Sequence, residues 1–77
     1  MLINKKNSVG IFGGSFDPPH KGHIEISKIS IKRLNLKRLY WVITKKNPFK
    51  NKPFFSLKDR ILKSKKAVKK YKKIKIL

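Results

Sequence analysis

Two histidines and several glycines lie close together near the start of the chain, in its most informative segment. Residues 10–23 read Gly-Ile-Phe-Gly-Gly-Ser-Phe-Asp-Pro-Pro-His-Lys-Gly-His. Gly13 and Gly14 carry no side chains, so a ligand can lie against the backbone and the chain can turn sharply. His20 and His23 flank the expected start of a helix, where free backbone N–H groups favour phosphate. The segment therefore indicates a site for a phosphate-bearing ligand.

The residues between and beside the histidines narrow the chemistry further. Gly22 lies between them, where a Cβ would obstruct an approaching ligand. Two imidazole N–H groups can donate to phosphoryl oxygens. A structural zinc site is disfavoured because the chain has no cysteine and Asp17 is the one acidic neighbour. We expect Asp17 to shape the loop by accepting N–H groups, and we assign no metal ligand.

Short apolar runs alternate with amphipathic stretches along the chain, which predicts an α/β fold. An apolar run over residues 8–12 ends at the two glycines and predicts a buried strand. The further expected elements are a helix from about Lys21, a strand over 38–44, a helix opened by a capping box at 56–59 and a strand from Ile74. This β-α-β-α-β order predicts a parallel sheet with right-handed crossovers, one Rossmann-like half of a domain truncated at its third strand.

Residue spacing predicts which face of each helix packs on the sheet. The expected buried positions of the first helix are Ile24, Ser27, Ser30, Ile31 and Leu34. Those of the second are Leu57, Ile61, Ser64, Val68 and Tyr71. Between them, Trp41 is expected in the core and residues 45–55 form a polar loop broken by two prolines.

The chain is strongly basic, with 22 Lys+Arg against 3 Asp+Glu and a net charge of +19. A basic surface gains affinity for nucleic acid by releasing counterions. However, 19 of the 22 basic residues are lysines, whereas base readout favours arginine. Lys, Ile and Asn share A/T-rich codons and make up 34 of 77 residues, so biased codon usage gives the same composition. Both explanations stay open, and the charge would also attract small phosphorylated ligands.

Length and composition exclude several classes of protein. A chain of 77 residues allows one domain with a modest core. The lack of cysteine excludes a disulfide scaffold and a zinc finger. No apolar run approaches the roughly 18 to 20 residues that a bilayer span needs, and the N-terminus lacks a secretory pattern. We therefore expect a cytoplasmic protein.

The segment from Gly10 to His23 resembles the signature of the nucleotidyltransferase superfamily, in which glycine, an aromatic residue and aspartate precede His-x-Gly-His. Its residue order is most similar to that of the nicotinate-nucleotide adenylyltransferase family. The related phosphopantetheine adenylyltransferase family typically has Thr at the position of His20. Residues 41–50, followed by Ser56 and Arg60, are similar to the family's second strand, basic loop and next helix start. The loop departs from the family's Pro-Pro-His-Lys, because only Pro48 and Lys50 match.

The resemblance implies adenylyl transfer from ATP to nicotinate mononucleotide, a step of NAD biosynthesis that yields nicotinate adenine dinucleotide and pyrophosphate. It implies that His20 and His23 are the catalytic donors to ATP phosphates, with His23 directed to the α-phosphate. The residues that would bind ATP are Gly13, Gly14, Ser15, Phe16, His20, Gly22 and His23. Lys46 and Lys50 are candidates for substrate phosphate, and Mg²⁺ would bind through the ATP phosphates.

The resemblance also implies that residues 1–77 are the N-terminal part of a single nucleotidyltransferase domain whose C-terminal half is absent. We therefore expect an ATP-binding half that is inactive alone, with a separately encoded C-terminal half as a possible partner. The alternatives are an inactive remnant, an adenylyltransferase of the phosphopantetheine type and, less favoured, a small basic protein that binds nucleic acid.

Overall fold

Four strands form one sheet with two helices in the computed structural model, which describes residues 2–4, 8–45 and 53–77. The elements in chain order are β1 (Leu2–Asn4), β2 (Val9–Gly14), α1 (Lys21–Arg33), β3 (Arg38–Ile43), α2 (Leu57–Val68) and β4 (Ile74–Ile76). β2 pairs with β3, and β3 with β4, in parallel, so the expected α/β half domain is confirmed.

The sheet contains one strand that the residue pattern does not predict. β1 pairs antiparallel with β2, with Leu2 opposite Ile11, and the sheet order is β1-β2-β3-β4. A strand of three residues is too short to show the alternation by which strands are recognised. The sheet is therefore parallel from β2 to β4 and antiparallel at its first edge.

Both helices pack on the same face of the sheet, around Trp41. The Trp41 side chain is fully buried, as expected, and its ring stacks on that of Phe16 with centroids 4.5 Å apart. Ile24 of α1 and Val68 of α2 belong to the same core cluster as Trp41. The core therefore lies between the two helices and one face of β2, β3 and β4.

A buried hydrogen-bond chain fixes α1 on the sheet. The indole Nε1 of Trp41 donates to Ser27 Oγ at 2.9 Å. Ser27 Oγ in turn donates to the carbonyl of His23 at 2.7 Å, one helical turn earlier. Because both side chains are buried, neither polar group has water as an alternative partner.

The expected helix faces are correct in part. Ile24, Ser27, Ser64 and Val68 are buried as predicted. Leu34 is 46% exposed because α1 ends at Arg33, and the buried leucine beyond the helix is Leu36. Tyr71 lies past the end of α2 and is half-buried, and the helix buries Arg60 instead.

The opposite face of β2 and β3 has no helix on it in the part of the chain that the structure describes. Side chains alternate along a strand, so Ile11, Tyr40 and Val42 point away from the core cluster. All three are half-buried. Parallel sheets are normally covered on both faces, so this bare face, defined by these three residues, is unusual for such a sheet.

No helix in the described ranges is long and apolar enough to cross a membrane.

Ser27→Ala removes the acceptor of the Trp41 indole and leaves that N–H buried without a partner. We expect it to lower the free energy of unfolding by about 1–3 kcal/mol. Urea denaturation followed by Trp41 fluorescence measures this, because Trp41 is the only tryptophan and is fully buried. The half-buried Ser30 gives the matched control: Ser30→Ala should change stability by less than about 0.5 kcal/mol. Equal effects of the two changes would contradict this role of Ser27.

Candidate functional site

The loop between β2 and α1 lies at the carboxyl end of the parallel strands, where open α/β sheets bind ligands. β2 continues through Gly14, and no glycine of the chain has a positive φ. The left-handed residue of the loop is Phe16, with φ of 48°. The expectation that Gly13 and Gly14 provide the turn is therefore wrong, because the chain bends two residues later.

The two glycines of β2 differ in their surroundings. A Cβ built on Gly13 meets no atom within 4 Å, whereas one on Gly14 would lie 3.3 Å from Phe16 Cε2. Gly14 is thus needed for close packing of the Phe16 ring, while Gly13 has open space beside it. The backbone at Gly13 is accessible to a ligand of any shape.

His20 and His23 form a reciprocal cap at the start of α1. His20 is the N-cap residue, and its Nδ1 accepts the N–H of Gly22 at 3.0 Å. His23 lies three residues later, and its Nδ1 accepts the N–H of His20, also at 3.0 Å. The two ring centroids are 4.0 Å apart. The arrangement is that of a capping box, with imidazoles in place of the usual Ser/Thr and Glu/Gln.

This cap fixes the tautomer of both neutral rings. A neutral imidazole has one N–H and one acceptor nitrogen, and here Nδ1 is the acceptor in each ring. The proton therefore lies on Nε2 in both His20 and His23. Two Nε2–H donors lie side by side at a helix N-terminus, which is a favourable arrangement for an anion.

Gly22 makes room for the His20 ring. A Cβ at Gly22 would lie 2.7 Å from Cε1 and 2.9 Å from Nδ1 of His20. The expectation from the sequence was a clear path for the ligand. The structure adds a direct reason: any larger residue displaces the imidazole that caps the helix.

His23 lies against the aromatic core, whereas His20 is exposed. The His23 ring centroid is 4.5 Å from that of Phe16 and 5.9 Å from that of Trp41. Burial lowers the pKa of His23 below its usual value, and the charge of neighbouring His20 lowers it further. His23 is thereby kept neutral near pH 7, in the form that can accept at Nδ1 and donate at Nε2.

Arg60 of α2 ties together the loops around the site. Its side chain is 1% exposed. Nη1 donates to the carbonyls of Ser15 (3.0 Å) and Thr44 (2.7 Å), and Nη2 to that of Lys45 (3.0 Å). Nε donates to the carbonyl of Phe55 at 3.1 Å. One guanidinium thus joins the chain after β2, the chain after β3 and the chain before α2.

Asp17 reinforces the same junction from the other side. Its Oδ2 accepts the N–H of Phe54 at 2.7 Å, and its Oδ1 the N–H of Phe55 at 2.8 Å. Asp17 is therefore a loop-forming residue, as expected, but its partners are 37 and 38 residues away rather than in its own turn. The backbone of Phe55 thus connects Asp17, which accepts its N–H, to Arg60, which donates to its carbonyl.

Most of the site residues predicted from the sequence lie together. His20, Gly22 and His23 lie at the start of α1, and Gly13, Gly14 and Ser15 lie at the end of β2 and at the start of the loop that leads to it. The Phe16 side chain is buried under His23, so only its backbone could face a ligand. Lys46 and Lys50 lie outside the described residues. Within the described ranges, no three His, Asp or Glu side chains are grouped so that they could hold a metal ion.

The sequence analysis does not predict the buried, central position of Arg60. A charged residue is usually assigned to the solvent side of a helix. Arg60 lies four and eight residues before the buried Ser64 and Val68, so it shares their face. That spacing is the signal by which its burial could be found.

The fold is that of an α/β half domain in which two histidines cap the first crossover helix. The chain belongs to the cytidylyltransferase-like family, whose model matches residues 11–76. It is 53% identical over 75 residues to a probable nicotinate-nucleotide adenylyltransferase of Pelagibacter ubique, covering 97% of this chain and 42% of that protein.

Two further relatives carry the same name. The protein of Ruegeria sp. is 50% identical over 54 residues, covering 70% of this chain and 29% of the relative. That of Agrobacterium fabrum is 50% identical over 54 residues, covering 69% and 29%. The resemblance to this family is confirmed, and the chain spans less than half the length of these relatives.

Gly22→Ala should displace the His20 ring and break its hydrogen bond to the backbone. We expect the nitrogen chemical shifts of the imidazole, measured by long-range ¹H–¹⁵N NMR, to lose the Nε2–H pattern at His20. Loss of an N-cap should also cost about 1 kcal/mol of stability. Gly13→Ala is the control, since its Cβ has open space, and it should leave both measurements nearly unchanged. An unaltered His20 in the Gly22 variant would contradict the proposed role of Gly22.

Stability should fall as the pH is lowered below about 6.5, the usual pKa of histidine. Because the pKa of His23 is lowered in the folded chain, the unfolded chain takes up the proton first. The contribution of neutral His23 is complete above pH 6.5 and is lost as the pH falls through its folded pKa. Urea midpoints between pH 7.5 and 5 measure this. His23→Gln, which can still accept at the third helical position, should show a weaker dependence.

Arg60→Lys should destabilise the chain by about 3 kcal/mol, because one ammonium cannot reach carbonyls of three segments. Arg33→Lys, at an exposed position in the last turn of α1, is the matched control and should have little effect. Thermal or urea unfolding distinguishes the two. Comparable stability of both variants would show that the Arg60 contacts are not needed.

Proposed function

We propose that this chain is the ATP-binding, N-terminal part of a cytoplasmic nicotinate-nucleotide adenylyltransferase domain, in which His20 and His23 act on the phosphates. The observation that carries the proposal is the pair of Nε2–H donors at the N-terminus of α1. The names of the relatives support the choice of nicotinate mononucleotide as the acceptor of the adenylyl group.

The reaction requires positioning more than acid–base chemistry. A phosphate oxygen of nicotinate mononucleotide attacks the α-phosphorus of ATP, and the bond from that phosphorus to the bridging oxygen of pyrophosphate breaks. The attacking group is already an oxyanion, so no base and no covalent enzyme intermediate are needed. His20 and His23 would donate to phosphate oxygens, with His23 nearer the α-phosphate, and stabilise the charge of the transition state.

The contacts that hold the two imidazole rings would keep their Nε2–H donors in place during the reaction. Both rings are oriented by bonds to the backbone, and His23 is further held by Phe16 and Trp41. Gly13, which has open space beside it, would let the nucleotide lie against the end of β2. Donors fixed in advance need not reorganise when charge develops.

Within the described residues, no group of His, Asp or Glu side chains offers a set of Mg²⁺ ligands at this site. Both carboxylate oxygens of Asp17, in the loop before His20, accept backbone N–H groups. Mg²⁺ is commonly held through substrate phosphates and water. We therefore propose that the ion arrives with ATP, where it would neutralise phosphate charge, and that Lys46 and Lys50 contribute to the same end.

The bare face of β2 and β3 supports a need for further polypeptide. Ile11, Tyr40 and Val42 have no helix over them in the described residues, although parallel sheets are normally covered on both sides. The relatives are more than twice as long as the matched part. We propose that the remainder of such a domain, in the same chain or as a separate one, covers this face and completes the substrate site.

ATP binding by the 77-residue chain should depend on the imidazoles and not merely on the helix cap. In the variant His20→Asn/His23→Gln, both new residues can cap the helix, so the fold should be kept. The variant lacks the two Nε2–H donors, and we expect ATP to bind roughly tenfold more weakly or worse. Titration followed by amide NMR shifts measures the affinity, and Trp41 fluorescence checks the fold.

A charge control distinguishes a specific site from a general attraction. Lys37→Gln removes one positive charge next to the start of β3, at the other end of the sheet. It should leave ATP affinity within about twofold at physiological ionic strength, where distant charges are screened. Unchanged ATP binding in the double histidine variant would refute the proposed site.

Catalysis should require the second part of the domain. We expect no adenylyl transfer by the 77-residue chain alone, and activity when it is mixed with the remaining part of the Pelagibacter ubique relative. The assay is formation of nicotinate adenine dinucleotide and pyrophosphate. His23→Gln should abolish the activity of the mixture. Adenylyl transfer by the 77-residue chain alone, if it is lost in His23→Ala, would overturn this proposal. A preference for phosphopantetheine over nicotinate mononucleotide as the acceptor would favour the phosphopantetheine adenylyltransferase family.

A further inference from the structure

The lysines are concentrated in the last part of the chain. Eight of the 19 lysines lie within residues 63–75, far more than an even distribution would give. A codon bias that acts on the whole chain would not by itself concentrate lysine in one segment. The concentration of charge at α2 and β4 therefore calls for an explanation of its own.

Two neighbouring grooves bring five of these lysines and two lysines of α1 together around one aromatic ring. The first has a volume of about 530 Å³, and its lysines are Lys28, Lys32, Lys72 and Lys73. The second has a volume of about 270 Å³, and its lysines are Lys65, Lys69 and Lys75. Tyr71 and Ile74 line both grooves. We name these seven lysines, with Tyr71, the Tyr71 surface.

The charge of this surface is almost uncompensated. Of the three acidic residues in the chain, Glu25 alone pairs with it, 3.8 Å from Lys28. Asp17 accepts backbone N–H groups near the histidines, and Asp59 lies in the first turn of α2. The Tyr71 surface therefore favours an anionic ligand with several charges.

The composition of the surface indicates which polyanion it fits. Lysine meets phosphates as a point charge and lacks the planar fork that reads base edges. Tyr71 is half-buried, with the ammonium groups of Lys70 and Lys28 5.5 and 5.9 Å from its ring centroid. A basic groove with an aromatic ring is the combination that binds single strands by backbone contact and base stacking. We propose that the Tyr71 surface binds single-stranded nucleic acid without sequence preference.

The surface is separate from the histidine site. α1 begins at the histidines and runs to Arg33, so Lys28 and Lys32 lie towards its far end. β4 is the edge strand of the sheet, and Ile74 is its first residue. In doubly wound sheets, later strands add beside the first parallel strand rather than the third, which leaves this edge open. The two sites can therefore be occupied together.

Fluorescence anisotropy with a labelled oligothymidine of about 12 nucleotides tests the proposal on the full chain. The groove variant Lys69→Gln/Lys72→Gln/Lys73→Gln should bind at least about tenfold more weakly than the unmodified chain. The slope of log affinity against log salt should fall by about two, since each phosphate contact contributes about 0.7.

A second triple variant with the same net charge is the control. Lys21→Gln/Lys45→Gln/Lys58→Gln removes exposed lysines from the opposite end of the sheet and should lose less than about threefold in affinity. Equal losses in both triples would overturn the proposal, because they would show attraction by net charge alone. Equally tight binding of a duplex, or of inorganic polyphosphate, would also overturn it.

Variants of Tyr71 test the stacking contact. Tyr71→Phe keeps the ring and should bind like the unmodified chain, whereas Tyr71→Leu should bind about tenfold more weakly. Trp41 fluorescence confirms that each variant is folded. If Tyr71→Leu bound the oligonucleotide as tightly as the unmodified chain, base stacking on Tyr71 would be refuted. His20→Asn/His23→Gln should bind the oligonucleotide normally, so failure of the ATP site and failure of this surface are distinguishable.

Discussion

The Arg60 guanidinium is the contact on which the loops around the site depend. A buried cation without a carboxylate is costly unless it is hydrogen-bonded, and Arg60 makes four hydrogen bonds to backbone carbonyls. Those carbonyls belong to segments that have no helix or strand pairing of their own at these positions. The guanidinium supplies the hydrogen-bond donors that helix or strand pairing would otherwise provide. Asp17 completes the junction by accepting two N–H groups. The loop that leads to His20 is thereby anchored at Ser15.

Each histidine ring has both a structural and a proposed chemical role. Each ring uses Nδ1 to cap α1 and leaves Nε2–H for a ligand. Protonation at Nδ1 would abolish the cap, so the helix start requires neutral rings, whereas Nε2 carries its N–H in either state. The aromatic environment that lowers the pKa of His23 preserves the neutral state near neutral pH. A simple cap such as serine would hold the helix but present no such donor.

Local patterns in the sequence predict most of the fold and the position of the histidines. The strands β2, β3 and β4 and both helices follow from apolar runs and capping residues. The hydrogen-bond partners of Arg60 and Asp17 could not be predicted in the same way. Their hydrogen bonds join residues up to 45 positions apart, which leave no periodic trace. β1 was missed for the opposite reason, because three residues are too few to form a pattern.

The contacts that hold the histidine site do not depend on completion of the sheet. In a doubly wound sheet the strand that follows the first three pairs with the first, which here is β2. The short antiparallel β1 occupies that edge, so a further strand must displace it or pair beyond it. The bare face beside this edge, with Ile11, Tyr40 and Val42, would be covered by the same polypeptide. The donors of His20 and His23 are held by β2, α1 and Arg60, and none of these contacts requires that addition.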